Sequence, residues 1–144
     1  MIPNQLKILV EQQPGDIRRI NKELAIQALR DLDISLESEF AQFFQEYKIT
    51  LFQSIVSDEA LCDIAEPTPE IKAGTQFVHE VWELPENFIC FTTVEGEGGY
   101  LYDKVDGSVY DFELGKREEL ISGRMKPRWN SFFEFMTWYL GAKN

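Results

Sequence analysis

Residues 88–112 read FICFTTVEGEGGYLYDKVDGSVYDF, and the reading of this stretch decides the fold. Three runs rich in aromatic and β-branched residues, 88–94, 99–102 and 108–112, are separated by Glu95-Gly96-Glu97-Gly98 and by Asp106-Gly107. Residues of these types suit a pleated, half-buried surface, and Asp-Gly between two such runs is a strong hairpin signal. The stretch predicts an antiparallel meander of three strands.

Working upstream, Phe77, Val78, Val81 and Trp82 follow helical spacing and predict a helix over 74–82, ended by Pro85. Pro67 and Pro69 predict an exposed loop, because each lacks an amide hydrogen and restricts the residue before it. Ser57 or Asp58 would cap a short helix reaching residue 64, and 49–52 reads as an early strand. Asp16 precedes Ile17, Ile20, Leu24, Ala28 and Leu32, which predicts a helix over 17–32. A second helix carries Phe40, Phe43, Phe44 and Tyr47, with Ser35 as its cap. Downstream, 115–128 reads as a charged loop with one short strand at Leu120 and Ile121. The run 129–140 is a helix apolar on more than one face, so it should be enclosed and cover the sheet. The fold class is α+β, a single domain over 1–144: an antiparallel sheet flanked by two N-terminal helices and an aromatic C-terminal one.

A chain that is 44% hydrophobic and 13% aromatic at 144 residues can bury a substantial core. Residues 1–20 carry Lys7, Glu11, Asp16, Arg18 and Arg19, and no apolar run approaches the length of a membrane helix. Neither a signal peptide nor a membrane partner is expected, and two cysteines outside any CxxC pair fit a reduced cytoplasmic setting. The net charge of −11 is uneven: residues 57–113 hold 14 acids and 2 bases, whereas 114–144 hold 3 acids and 6 bases. An acidic middle repels phosphate backbones, which disfavours direct nucleic-acid binding and favours a basic protein partner.

Motif by motif, catalytic readings give way to structural ones. The glycines of 95–99 are followed by a strand-like run, not by the helix that a dinucleotide loop requires, so they read as a hairpin connection. Residues 103–107 lack the alternating carboxylates and the bidentate Glu of a calcium loop and read as a β-turn. His79 is the only histidine, which leaves Ser and Cys nucleophiles without a His base. No catalytic residue, metal site or cofactor is expected. Eight acids between Glu83 and Glu113 keep a carboxylate-pair hydrolase open as an alternative.

The segments Trp82-Glu83-Leu84-Pro85-Glu86-Asn87-Phe88-Ile89, Gly98-Gly99-Tyr100-Leu101-Tyr102-Asp103, Asp106-Gly107-Ser108-Val109-Tyr110 and Trp129-Asn130-Ser131-Phe132-Phe133-Glu134-Phe135 together resemble the SUKH superfamily, in that family's order. The opening helices, with Ile34-Ser35-Leu36 leading into Phe40, are also similar, so the resemblance covers nearly the whole chain. It implies an α+β fold and a non-enzymatic role. Bacterial members are mostly immunity proteins that bind and neutralise a cognate toxin, often a nuclease; fungal relatives regulate cell-wall synthesis through protein contacts. The expected function is toxin neutralisation, with a regulatory scaffold as the alternative, and the expected partner-binding face carries Glu83, Glu86, Glu95, Glu97, Asp103 and Asp106.

Overall fold

In the computed structural model of the chain, which describes residues 1–94 and 96–141, three strands form one antiparallel sheet in the order β1-β2-β3. They are β1 (Phe88–Cys90), β2 (Gly98–Asp103) and β3 (Val109–Glu113), with Phe88 opposite Asp103 and Tyr102 opposite Val109. Gly107 takes φ 83° in the turn between β2 and β3, a left-handed value that costs glycine little. β1 is shorter than the sequence suggests, because the Tyr100 amide turns to the Thr92 hydroxyl (3.1 Å).

Side chains alternate along each strand, so the sheet has two apolar faces and needs a layer on each. Ile89, Phe91, Tyr100, Tyr102 and Val109 face the larger core. That core is closed by α1 (Asn4–Glu11), α2 (Lys22–Asp31), α3 (Glu39–Glu46) and α6 (Phe132–Gly141). Phe40 of α3 stacks on Tyr102 at 4.5 Å, and Phe91 meets Phe135 of α6 edge-on at 5.1 Å. Ring pairs of this kind are worth about 0.5–1.5 kcal/mol each beyond area burial. Phe88, Cys90, Leu101 and Phe112 face the other way, against Val78 of α4 (Glu70–Glu80), Trp82, Leu84 and Leu120 of α5 (Arg117–Ile121). As expected, the last helix is enclosed: Phe132, Phe133, Phe135, Met136 and Tyr139 are buried.

Several boundaries differ from the sequence reading, each for a visible reason. The helix expected over 17–32 starts only at Lys22, because residues 17–19 pair with 46–48: the Arg19 amide donates to the Glu46 carbonyl and the Lys48 amide to the Ile17 carbonyl. α1 was not anticipated, although Leu6 and Val10 already stand one helical turn apart and both are buried. α3 is capped by Ser38, not Ser35, its hydroxyl accepting from the Ala41 amide at 3.1 Å. Residues 49–52 form no strand, and 57–64 form no helix; Ala60 to Cys62 instead lie along the outer edge of the sheet, where Leu61 bridges Thr92. Leu120 and Ile121 belong to α5 and not to a strand.

The irregular segments are tied together by one buried ion pair. The Arg19 guanidinium, with no side-chain exposure, donates to both Asp63 carboxylate oxygens (2.7 and 3.1 Å), to Glu66 (2.9 Å) and to the carbonyls of Phe44 and Tyr47. Asp63 in turn accepts from the Ile49, Ala65 and Glu66 amides. Both charges are therefore fully hydrogen-bonded, the condition under which a buried pair is tolerated.

Candidate partner-binding surface

Of the expected acids that are described, Glu86, Asp103 and Asp106 stand at one end of β2 and Glu97 at the other. Glu86 is exposed ahead of β1, close to where Asp103 and Asp106 form the β2–β3 turn. Asp103 is only 8% exposed, and its carboxylate already accepts from the Val105 amide (2.9 Å). Asp106 is exposed but accepts from both the amide and the hydroxyl of Ser108 (2.9 and 2.6 Å). Both aspartates thus set the turn as well as adding charge. Glu97 stands at the far end, roughly 20 Å from Asp103 along the strand at ~3.3 Å per residue. Glu83 is exposed, has φ 55° and lies 3.6 Å from Arg117, which also donates to the Trp82 carbonyl at 2.6 Å. Glu95 lies outside the described residues.

Around Glu97 the structure adds residues that the sequence reading did not select. A cleft of about 510 Å³ is lined by Glu59, Glu97, Gly98, Tyr100, Asp111 and Glu113, among others. Gly98 leaves it open: a Cβ there would meet the Phe112 carbonyl at 2.8 Å, closer than real contacts come. Asp111 pairs with Arg128 at 2.9 Å, and that guanidinium lies over the Trp129 and Trp138 rings at 4.6 and 4.7 Å. Thr93 donates to the Glu59 carboxylate at 2.9 Å. The signal for this group was present in the sequence, since the Asp-Gly turn fixes the register that puts Glu113 opposite Gly98.

His79 faces the Phe88 carbonyl at 2.8 Å, and because a carbonyl only accepts, Nε2 is the donor and the ring ties α4 to the edge of β1. Burial pushes the Cys62 thiol up to about 12 and the Cys90 thiol up to about 11, so both stay protonated and packed at neutral pH. Among the described residues, no three His, Cys, Asp or Glu stand together in a way that could hold a metal ion, and no helix is long and apolar enough to cross a membrane.

The SMI1 / KNR4 family (SUKH-1) model matches residues 16–138, from the paired segment before α2 into α6. The chain belongs to this family. No curated protein and no solved structure matches it. The SUKH-1 match takes in the sheet, the covering helices other than α1, and all six acids of the expected face. SUKH-1 proteins include toxin immunity proteins, and the family consists in general of non-catalytic immunity or regulatory proteins that often bind protein partners. Membership carries the fold to this chain, while its mode of action and the surface used have to be argued from its own residues.

Proposed function

We propose that this SUKH-1 chain is a non-enzymatic module that binds and neutralises a cognate toxin domain of basic character. The observation that carries the reading is the exposed carboxylates of Glu83, Glu86, Glu97 and Asp106, standing around the sheet in a stretch with 14 acids against 2 bases. A nuclease toxin must offer Lys and Arg to phosphates, and an acidic surface competes for those same cations. Opposite potentials speed encounter and exclude wrong partners, while affinity rests on a few well-packed contacts. Asp103 contributes to the proposed face mainly by holding its turn, and Glu95 is included for its charge alone.

The test is co-expression with a basic nuclease-toxin domain taken from the coding region next to this chain's, where one is encoded there, scoring cell survival and co-purification together. Rescue with a stable complex supports neutralisation by direct binding. Failure of both removes the toxin reading in favour of regulation through another protein. Within a complex, reversing Glu83, Glu86 and Glu97 to Lys should lower the association rate about tenfold or more at low salt, and by less at high salt. Unchanged association would remove this face from the proposal.

A further inference from the structure

The two edges of the sheet are unequal. The β1 edge is closed: the Cys90 amide donates to Thr75, His79 donates to the Phe88 carbonyl, and the Cys62 and Thr93 amides exchange bonds with Phe91 and Ala60. At the β3 edge, Val109 exchanges both of its main-chain bonds with Trp129, at 2.9 and 3.2 Å. Main-chain direction alternates along a strand. Ser108 and Leu114 bond inward to Asp103 and Glu97, so the amides and carbonyls of Asp111 and Glu113 point away from the sheet. The Glu113 carbonyl opens the 3-10 turn over Leu114–Lys116; the other three groups have no hydrogen-bond partner among the described residues, and both residues are exposed. The pairing begun at Trp129 cannot continue, because the residue that would face Asp111 is Pro127, which has no amide hydrogen.

An edge strand with free main-chain groups is a template for another strand. Two positions apart, Asp111 and Glu113 present their side chains on one face, where Gly98 opens the cleft beside Glu97 and Glu59. A second copy of this chain would bring carboxylates against carboxylates across the new pairing, which is destabilising. A segment with Lys or Arg at alternate positions would instead lay its cations over them. Asp111 is already balanced by Arg128, so the attraction comes from Glu97 and Glu113.

We propose that the Asp111–Glu113 edge of β3 accepts an extended basic segment of the protein partner as a fourth strand, its Lys or Arg side chains lying on the carboxylates of the Gly98 cleft. That the partner is a toxin rests on the preceding reading; that the edge takes a basic strand does not.

Amide hydrogen exchange on the whole chain tests this, with a short peptide of alternating Val and Lys as the probe and alternating Val and Glu as its control. The basic peptide should slow exchange of the Asp111 and Glu113 amides about tenfold or more, and the acidic one should not. Asp111→Pro, which removes one outward donor, should bind the basic peptide about tenfold more weakly than Asp111→Ala, which removes the same carboxylate. Unslowed exchange at these amides, equal slowing by both peptides, or equal binding by the two variants overturns the proposal. Should the proline variant not fold, the wild-type exchange comparison decides. A co-purified toxin domain that leaves both amides as exposed as in the free chain overturns the edge and keeps the toxin reading. Protection by the basic peptide without toxin rescue does the reverse.

Discussion

Arg19 shows how one residue outweighs its neighbourhood in sequence. Arg18 beside it makes exposed pairs with Glu11 and Glu46, of a kind worth little, whereas Arg19 is buried and answered by Asp63, 44 positions away. Removing one member leaves the other charge buried without its partner. Arg19→Met or Asp63→Asn should therefore cost about 3–5 kcal/mol, read as a lower urea midpoint, a large part of a typical ~5–15 kcal/mol total. The double variant Arg19→Met with Asp63→Asn removes both of these buried charges and keeps an acceptor for the Ile49, Ala65 and Glu66 amides, so it should cost less than the sum of the two single variants. The thiols give a second check at this scale. With Cys62 raised to about 12 and Cys90 to about 11 by burial, a thiol reagent at mildly alkaline pH should modify the folded chain far more slowly than the urea-unfolded chain. Equal rates would mean that both sulfurs are accessible.

Helix α3 carries the prediction that belongs to elements. Its N-terminus is closed by Ser38, while Ser35 only accepts from the Glu37 amide at 3.3 Å in the preceding turn. Ser38→Ala should cost about 1 kcal/mol in thermal or urea unfolding, and Ser35→Ala clearly less. The reverse order would show that the turn matters more than the cap. The misplaced cap also indicates what the sequence makes legible. The meander was readable because its turns carry their own chemistry, Asp106-Gly107 above all, and α6 because eight apolar or aromatic residues crowd one run. The extended segment 17–19 was not, since helical spacing at Ile17 and Ile20 is identical whether the backbone coils or pairs; contact with 46–48 decides it. Of the surface, Glu97 was legible as a charged turn residue. Asp111 and Glu113 follow from the register that the Asp-Gly turn fixes, but the free edge they stand on is a property of the assembled sheet and not of the local sequence.

Taken whole, the molecule buries weak acids on both faces of one small sheet, and this fixes how its stability must vary with pH. Burial raises Tyr100, Tyr102 and Tyr139, the last to about 12, and raises both cysteines. In the unfolded chain these groups ionise near their ordinary values, about 9 for Cys and 10 for Tyr. Between those values and the raised ones the unfolded state has released protons that the folded state still holds, so stability falls as pH rises. Their contribution is complete below about pH 9 and is lost progressively toward pH 12. Thermal unfolding followed across this range should show a melting temperature that declines steeply on the alkaline side. Tyr139 isolates one component. Its hydroxyl donates to the Glu59 carbonyl at 2.7 Å, so Tyr139→Phe should cost about 1 kcal/mol near neutrality. The same variant should flatten the decline between about pH 10 and 12, because the unfolded state no longer gains by ionising there. A neutral-pH loss with an unchanged alkaline slope would mean that Tyr139 matters only through its hydrogen bond, and that the other buried acids carry the pH dependence.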